Sequence, residues 1–246
     1  MRRFGLLLDL SHAGFAAVLD DAATAVRARS ARPAGTRHDD VADWTEALLR
    51  EAGATFADLA WVAAGVGPGS FTGIRIAMAF AQGLALPHGV SLHGFTSFEA
   101  LHLSAASGTG EGEPEQGSVL AVVPANAGRF YVSRALADPG ALMTGDELAA
   151  LCREARLIVA PEATPALTTL MTRLRESVEA GAAGPAPTMW TPGEHWDACA
   201  IARHAVRSGR GLERPVYLQL SAAEEKFGAA GIEAAPGPQA PAGGTP

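Results

Sequence analysis

Apolar residues come in short compact runs near the start of the chain and in helical periods further on. Phe4, Leu6, Leu7 and Leu8 form a run that ends at Asp9, which predicts a buried strand over residues 4–10. Gly14 opens a second run over 15–19, Asp20 and Asp21 punctuate it, and a weaker run covers 24–29. Three short runs parted by turn residues predict a β-meander. From residue 41 the period changes. Val41, Trp44, Leu48, Leu49 and Ala52 share one helix face, and Asp43, Glu46 and Arg50 the other. Asp39 or Asp40 can cap this helix and Gly53 can end it, with Glu46 and Arg50 paired at i,i+4.

Residues 59–66 read as an apolar strand, 67–73 as a glycine loop, and about 74–86 as a helix stopped by Pro87. Thr96 and Glu99 make a capping box for a further helix, and Thr144 and Glu147 make another. Residues 107–118 are polar and Gly-rich, and mark the expected boundary between lobes. Strand character resumes at 119–123 and pairs with 129–135 across Asn126-Ala127-Gly128. Residues 157–160 predict a short strand, Thr164-Pro165 opens a helix, and 197–208 form another that Gly209 ends. A last strand is expected at 216–220. Residues 228–246 are almost all Gly, Ala and Pro and predict disorder. This gives an N-terminal lobe at 1–106, a linker at 107–118, a second lobe at 119–227 whose last strand can return to the first, and a tail at 228–246. The stretch LLLDLSHAGFAAVL has an echo in VLAVVPANAGRFYVSRAL after the linker, each a strand, an Ala-Gly turn and a second strand.

Composition narrows the class. A chain of 246 residues with 48% apolar and 18% charged residues is long and apolar enough to bury a core in each of two lobes. A formal charge of -7 argues against gripping nucleic acid alone by counterion release. Arg2, Arg3 and the following apolar run mimic a signal peptide, but Asp9 breaks the run too early, and no stretch approaches a membrane span; a cytoplasmic protein is expected. Cys152 and Cys199 have no metal or redox spacing.

Residues 65–85, GVGPGSFTGIRIAMAFAQGLA, hold the candidate chemistry. A strand, a glycine turn and a helix N-terminus together invite an anion. No lysine follows the loop, so a P-loop is excluded. The spacing from Gly67 is GxGxxxG, with no acid about 20 residues on to hold a ribose. Pro68 and Thr72 stand where a nucleophile elbow needs glycines, which leaves Ser70 as a turn or cap serine. In the helix, Gly73, Ala77, Ala81 and Ala85 recur every four residues, and only Arg75 and Gln82 are polar. Such a helix is either a core helix against its own sheet or one that packs inward on one side and against a partner on the other. The second reading assigns Gly69, Ser70, Phe71, Thr72, Gly73, Arg75, Ala77, Ala81 and Ala85 to a partner interface. No HxxxH spacing exists among the seven histidines, so no helix presents paired imidazoles, and a metallopeptidase lacks its ligands.

Gly-Pro-Gly-Ser-Phe-Thr-Gly-Ile-Arg resembles the signature of the TsaB (YeaZ) family. Asp9 and Ser11 match that family's Asp-Thr-Ser loop, and His38 matches its position there. Gly94, Ser97, Glu99, Ala100 and Leu101 resemble its Gly-Val-Ser-Ser-Leu-Glu-Ala-Leu run, and Pro215-Val216-Tyr217-Leu218 its closing Pro-Val-Tyr-Leu-Arg. The likeness is dense over 4–105 and thin over 106–213. It implies an α/β, actin/Hsp70-like (ASKHA) fold with two related lobes. It implies a non-catalytic subunit that works with a TsaD-like catalytic paralogue and a TsaE-like ATPase to make threonylcarbamoyladenosine in tRNAs reading ANN codons. It also implies a homodimer through the same surface when the partner is missing, tRNA contact that is only indirect, and no membrane role. No cofactor is expected to bind tightly; Asp9 and Ser11 are the residues for a weak nucleotide contact, and ATP or ADP would sit at a shared subunit interface. The sequence departs from the family at Leu10 for threonine, at Val123-Pro124-Ala125-Asn126 where Asp-Ala-Arg is common, and at Gln219 for arginine. One cleft acid in place of two makes a hydrolysing cleft degenerate. The rival reading, an ATP-dependent kinase of the same superfamily, needs both.

Overall fold

Leu6, Leu7 and Leu8 are fully buried, so β1 (Phe4–Asp9) needs neighbours on both edges and cover on both faces. The computed structural model, which describes residues 4–12, 14–32, 40–108, 118–180, 186–193 and 195–218, shows how it gets them. β2 (Phe15–Asp20) pairs antiparallel with β1 and, on its other edge, with β3 (Val26–Ala31). β4 (Leu59–Gly65) runs parallel to β1, and β5 (Ser91–Phe95) parallel to β4. The sheet order is β3-β2-β1-β4-β5.

The rest of the chain repeats this plan. β6 (Val119–Pro124), β7 (Phe130–Ser133) and β8 (Ala141–Met143) form a second antiparallel meander. β9 (Leu157–Val159) runs parallel to β6, and β10 (Thr188–Trp190) parallel to β9. The order β10-β9-β6-β7-β8 is the first sheet's order read from the other edge. The two strand-turn-strand echoes, β1-β2 and β6-β7, hold equivalent places. This duplicated sheet gives the chain an α/β, actin/Hsp70-like fold with two related lobes.

Among the described residues, α1 (Val41–Glu51), α2 (Phe71–His88), α3 (Ser97–Gly108), α4 (Gly145–Cys152), α5 (Pro165–Glu179) and α6 (Ala198–Ser208) supply the cover. Alternation along the strands sends Leu6, Leu8, Val18, Val62 and Ala64 to the face under α1 and α2. Leu7, Ala17, Trp61 and Ala63 go to the opposite face, where α6 seals them with Ala198, Ile201, Ala202 and Ala205. In the second sheet α4 and α5 cover Leu120, Val122, Val132 and Ile158, while α3 covers Val119, Ala121, Val123 and Tyr131. The lobes therefore exchange helices. α3 follows the first sheet in sequence and packs on the second, α6 follows the second and packs on the first, and the two touch.

Several local expectations change. α2 begins at Phe71 rather than near 74, because Ser70 caps it, and it continues through Pro87 until Gly89 turns left-handed and donates its N–H to Ala85 O at 2.7 Å. Proline in the last turn forfeits a single bond, to the carbonyl four residues back, so it does not stop the helix there. Asp40 sits at the start of α1 without making a side-chain cap bond. Residues 216–218 are not strand, although Val216 N–H bonds Val66 O at 2.7 Å. β8 and β10, three residues each, are partly exposed edge strands that no compact apolar run announces. His38, Asp39, Gln219, Leu220, most of 107–118 and the 228–246 tail lie outside the described residues. No helix among the described residues is long and apolar enough to cross a membrane.

Candidate functional site

The glycine loop after β4 lies on the turn between β1 and β2, backbone against backbone. Ser70 N–H bonds Ser11 O at 2.7 Å. A Cβ on Gly69 would come within 2.5 Å of that same oxygen, and one on Gly73 within 1.9 Å of Leu10 O. These glycines serve a close approach within the chain, where the sequence had left room for a ligand or a second protein. Ser70 then accepts the Gly73 N–H at 3.2 Å as the cap of α2.

Asp9 and Ser11 are buried at the end of β1. Asp9 Oδ1 accepts the Ser11 N–H at 2.7 Å and the Ser11 hydroxyl at 2.6 Å. Ser11 Oγ lies 3.0 Å from Ser97 Oγ, Ser97 donates its hydroxyl to Pro68 O at 2.8 Å, and Ser97 N–H bonds Gly67 O at 2.8 Å. The network ties three things together: the end of β1, the glycine loop and the start of α3. The matching turn of the second lobe, Pro124 to Asn126, brings no acid.

Beside this turn His12, Asp9, Glu162, Thr191 and Trp196 line a cavity of about 370 Å³ between the lobes. Burial lowers the His12 pKa, against the opposite pull of Asp9, Glu162 and the Pro68 carbonyl, and Nε2 has no hydrogen-bond partner among the described residues. Sequence reading passed over His12 and Glu162, since nothing in their spacing says that the lobes bring them together. Among the described residues no group of three or more His, Cys, Asp or Glu side chains is placed to hold a metal ion.

α2 is buried on one side only. Gly73, Ile74, Ala77, Met78 and Ala81 face the sheet, and Ala77 and Ala81 are fully enclosed. The small-residue row expected to meet a partner instead lets α2 lie close to its own sheet; Ala85, its last member, is half-buried. The outward face carries Thr72, Arg75, Ala79, Gly83 and Leu86, with Leu86 89% exposed. At its N-terminal end Phe71 and Tyr217 are each 40% exposed and stack with centroids 5.0 Å apart. Thus Ser70, Phe71, Thr72 and Arg75 of the expected set reach solvent, whereas Gly73, Ala77 and Ala81 do not. Tyr217 was visible in the sequence as part of a closing motif, but not as a neighbour of α2.

Behind the loop, Glu99 closes the capping box of α3 by accepting the Thr96 N–H at 2.7 Å. It also forms a two-pronged pair with Arg210, the longer contact 2.9 Å. Burial pushes its pKa up, but Arg210, the Thr96 amide and nearby His204 outweigh that and hold it below the ordinary value.

Comparison with known proteins places this geometry. The family model described as TsaD, tRNA N6-adenosine threonylcarbamoyltransferase, matches residues 34–158, just over half of the chain. The tRNA threonylcarbamoyladenosine biosynthesis protein TsaB of Escherichia coli K12 is 31% identical over 106 residues, 43% of this chain and 44% of that protein. TsaB of Buchnera aphidicola is also 31% identical over 106 residues, 43% of this chain and 48% of the relative. The chain thus spans less than half the length of these relatives. The solved structure of YeaZ from Pseudomonas aeruginosa superposes with a TM-score of 0.62 at 22% identity, over 88% of this chain and all of that one. A second Pseudomonas aeruginosa structure, described as similar to peptidase YeaZ, gives 0.61 at 23%, with the same coverage. At that identity the superpositions speak to the fold.

Proposed function

The chain belongs to the TsaD family, and within it to the TsaB (YeaZ) sequences, and on that premise we propose that it is a non-catalytic partner subunit in the formation of threonylcarbamoyladenosine in tRNA. The observation that carries this reading is the outward face of α2. The family's glycine signature opens a helix whose exposed side, apart from Thr72, Arg75 and Gln82, is apolar, with Leu86 almost wholly in solvent. Gly83 adds to it, because a Cβ there would meet nothing within 4 Å, so no packing inside the chain calls for a glycine. An exposed apolar strip on a helix fits a protein surface. A TsaD-like catalytic subunit is the partner, with a TsaE-like ATPase completing the assembly and a homodimer using the same face when the partner is missing.

The cleft supports the accessory role. Asp9 is engaged by Ser11, and the second lobe's matching turn offers no acid; the other carboxylate lining the cavity, Glu162, follows β9 instead. The chain by itself then holds no nucleotide tightly, and the place for ATP or ADP is an interface shared with a partner. The test is reconstitution with the TsaD-type subunit and ATPase of the same genome. The chain alone is expected to leave tRNA unmodified, and the TsaD-type subunit to need it for full rate. Modified nucleoside formed by the chain alone, or a rate unchanged by adding it, would sink the proposal.

A further inference from the structure

We propose that Tyr217, Phe71 and Arg75 form one prebuilt anchor for a carboxylate on a protein partner, so that the C-terminal segment is part of the docking face of α2. The inference rests on the interface reading above and names the chemistry that its partner must present.

The Arg75 guanidinium carbon lies 3.7 Å from the centroid of the Phe71 ring, and its Nε donates to the Tyr217 hydroxyl at 3.0 Å. The two rings stack on each other at an interplanar angle of 26°. Stacking occupies a face of the guanidinium, and the tyrosine occupies Nε. The two Nη groups keep their donors, and no carboxylate among the described residues pairs with them. A planar fork with a free edge is the complement of a carboxylate, which it can bind through two parallel N–H···O bonds. Because the stack already fixes the side chain, less rotamer freedom is lost on binding.

Charge and polarity choose between a carboxylate and a phosphate. Arg75 is the sole Asp, Glu, Lys or Arg of α2, and the face beyond it runs through Ala79 and Gly83 to Leu86. A nucleic-acid backbone calls for several cations on a polar surface. One cation at the end of an apolar strip, on a chain of net charge -7, fits a protein with an apolar patch and a single acid beside it. A second copy of this chain meeting on the same face brings no carboxylate on α2, so a homodimer there leaves the fork unfilled.

Tyr217 is held in place from some distance. After α6 the chain crosses the first lobe and is tied down step by step. Arg210 pairs with Glu99, and its carbonyl accepts the Gly94 N–H at 2.7 Å. Leu212 is buried in the core, and its carbonyl accepts Gln82 Nε2 at 2.8 Å. Val216 N–H then bonds Val66 O at 2.7 Å. The segment that ends at Tyr217 is thus tied to the first lobe at Arg210, Leu212 and Val216.

The experiment measures the affinity of the full chain for the TsaD-type subunit by calorimetry, with circular dichroism to confirm that each variant folds. Tyr217→Phe keeps the ring and removes the bond to Arg75; affinity is expected to fall about threefold to tenfold. Arg75→Lys keeps the charge and loses the fork; a loss of at least about tenfold is expected. Arg75→Glu is expected to abolish binding, and added salt to weaken wild type more than Arg75→Ala. Wild-type binding with all variants unchanged would overturn the anchor and leave the subunit reading standing. If the wild type does not bind, the subunit reading falls and the anchor with it. Binding of tRNA by the chain alone that is lost in Arg75→Lys would make the fork a phosphate receptor and overturn the carboxylate assignment.

Discussion

Gly73 and Gly83 stand on one helix and answer to opposite constraints. A Cβ at Gly73 would run into Leu10 O at the end of β1, whereas a Cβ at Gly83 meets open solvent. Gly73→Ala is expected to cost about 3 kcal/mol, since backbone must move to admit it. Gly83→Ala should stabilise the isolated chain by about 0.5–1 kcal/mol through helix propensity. Urea unfolding of both variants checks the pair, and equal shifts would contradict the placement of α2. His102 offers a second residue-level test. Burial, against the pull of Asp138 and Ser133, pushes its pKa down to about 4 from 6.5, and Nε2 lies 3.2 Å from Ser133 Oγ. The folded state keeps this ring neutral where the unfolded chain protonates it. Its contribution to stability is therefore complete above pH about 6.5 and is lost as pH falls towards 4, by up to about 3 kcal/mol. Burial shifts His12 and His93 in the same direction, so the whole chain should weaken in acid. His102→Gln should flatten the slope of stability against pH in that window, read by chemical denaturation at several pH values. An unchanged slope would mean that the ring is not buried neutral.

α2 is the element where sequence and structure part most clearly. A row of Gly73, Ala77 and Ala81 announces a close approach but not its direction. The direction is inward, because the helix leaves the glycine loop already pressed on β1 and β4. Replacing Ala77 or Ala81 by leucine should therefore overpack the chain's own core and lower its stability by about 1–3 kcal/mol, with partner binding lost only as the fold is lost. Ala79→Trp on the outward face should leave the melting temperature nearly unchanged and block association with the TsaD-type subunit. The two results together, from melting curves and a binding assay, place the interface; Ala79→Trp with full binding would remove α2 from it. Other elements were legible because their signals are local. The capping boxes at Thr96-Glu99 and Thr144-Glu147 form as their spacing requires, and Glu46 and Arg50 meet at 3.4 Å. Short β8 and β10 were not: they are partly exposed edge strands, whereas the equally short β9 is an inner strand, Leu157-Ile158-Val159, that reads as a compact apolar run.

For the whole molecule, the exchange of α3 and α6 matters most. Each sheet has one face covered by helices that follow its own strands and one face covered by a helix from the other half of the chain. Neither lobe can bury its inner face alone, so unfolding should be one cooperative transition seen equally by tryptophan fluorescence and circular dichroism. Truncation before α6 should expose Leu7, Ala17, Trp61 and Ala63 and give an aggregating product. Two well-separated transitions in calorimetry, or a stable soluble truncate, would show the lobes to be independent.

The sequence by itself determined the parts that rest on neighbours along the chain. These are the strands and their alternation, the helix periods, the caps, the duplicated strand-turn-strand start and the glycine signature that carries the family likeness. Propensity, periodicity and capping act over a few residues, so they survive in a string of letters. Only the tertiary structure decided which side of α2 faces solvent, that the glycine loop and Ser97 close on Ser11 beside Asp9, and that Tyr217 reaches Arg75 across 142 residues of chain. Those facts come from packing one surface on another, where the energy depends on shapes and distances that no local pattern encodes.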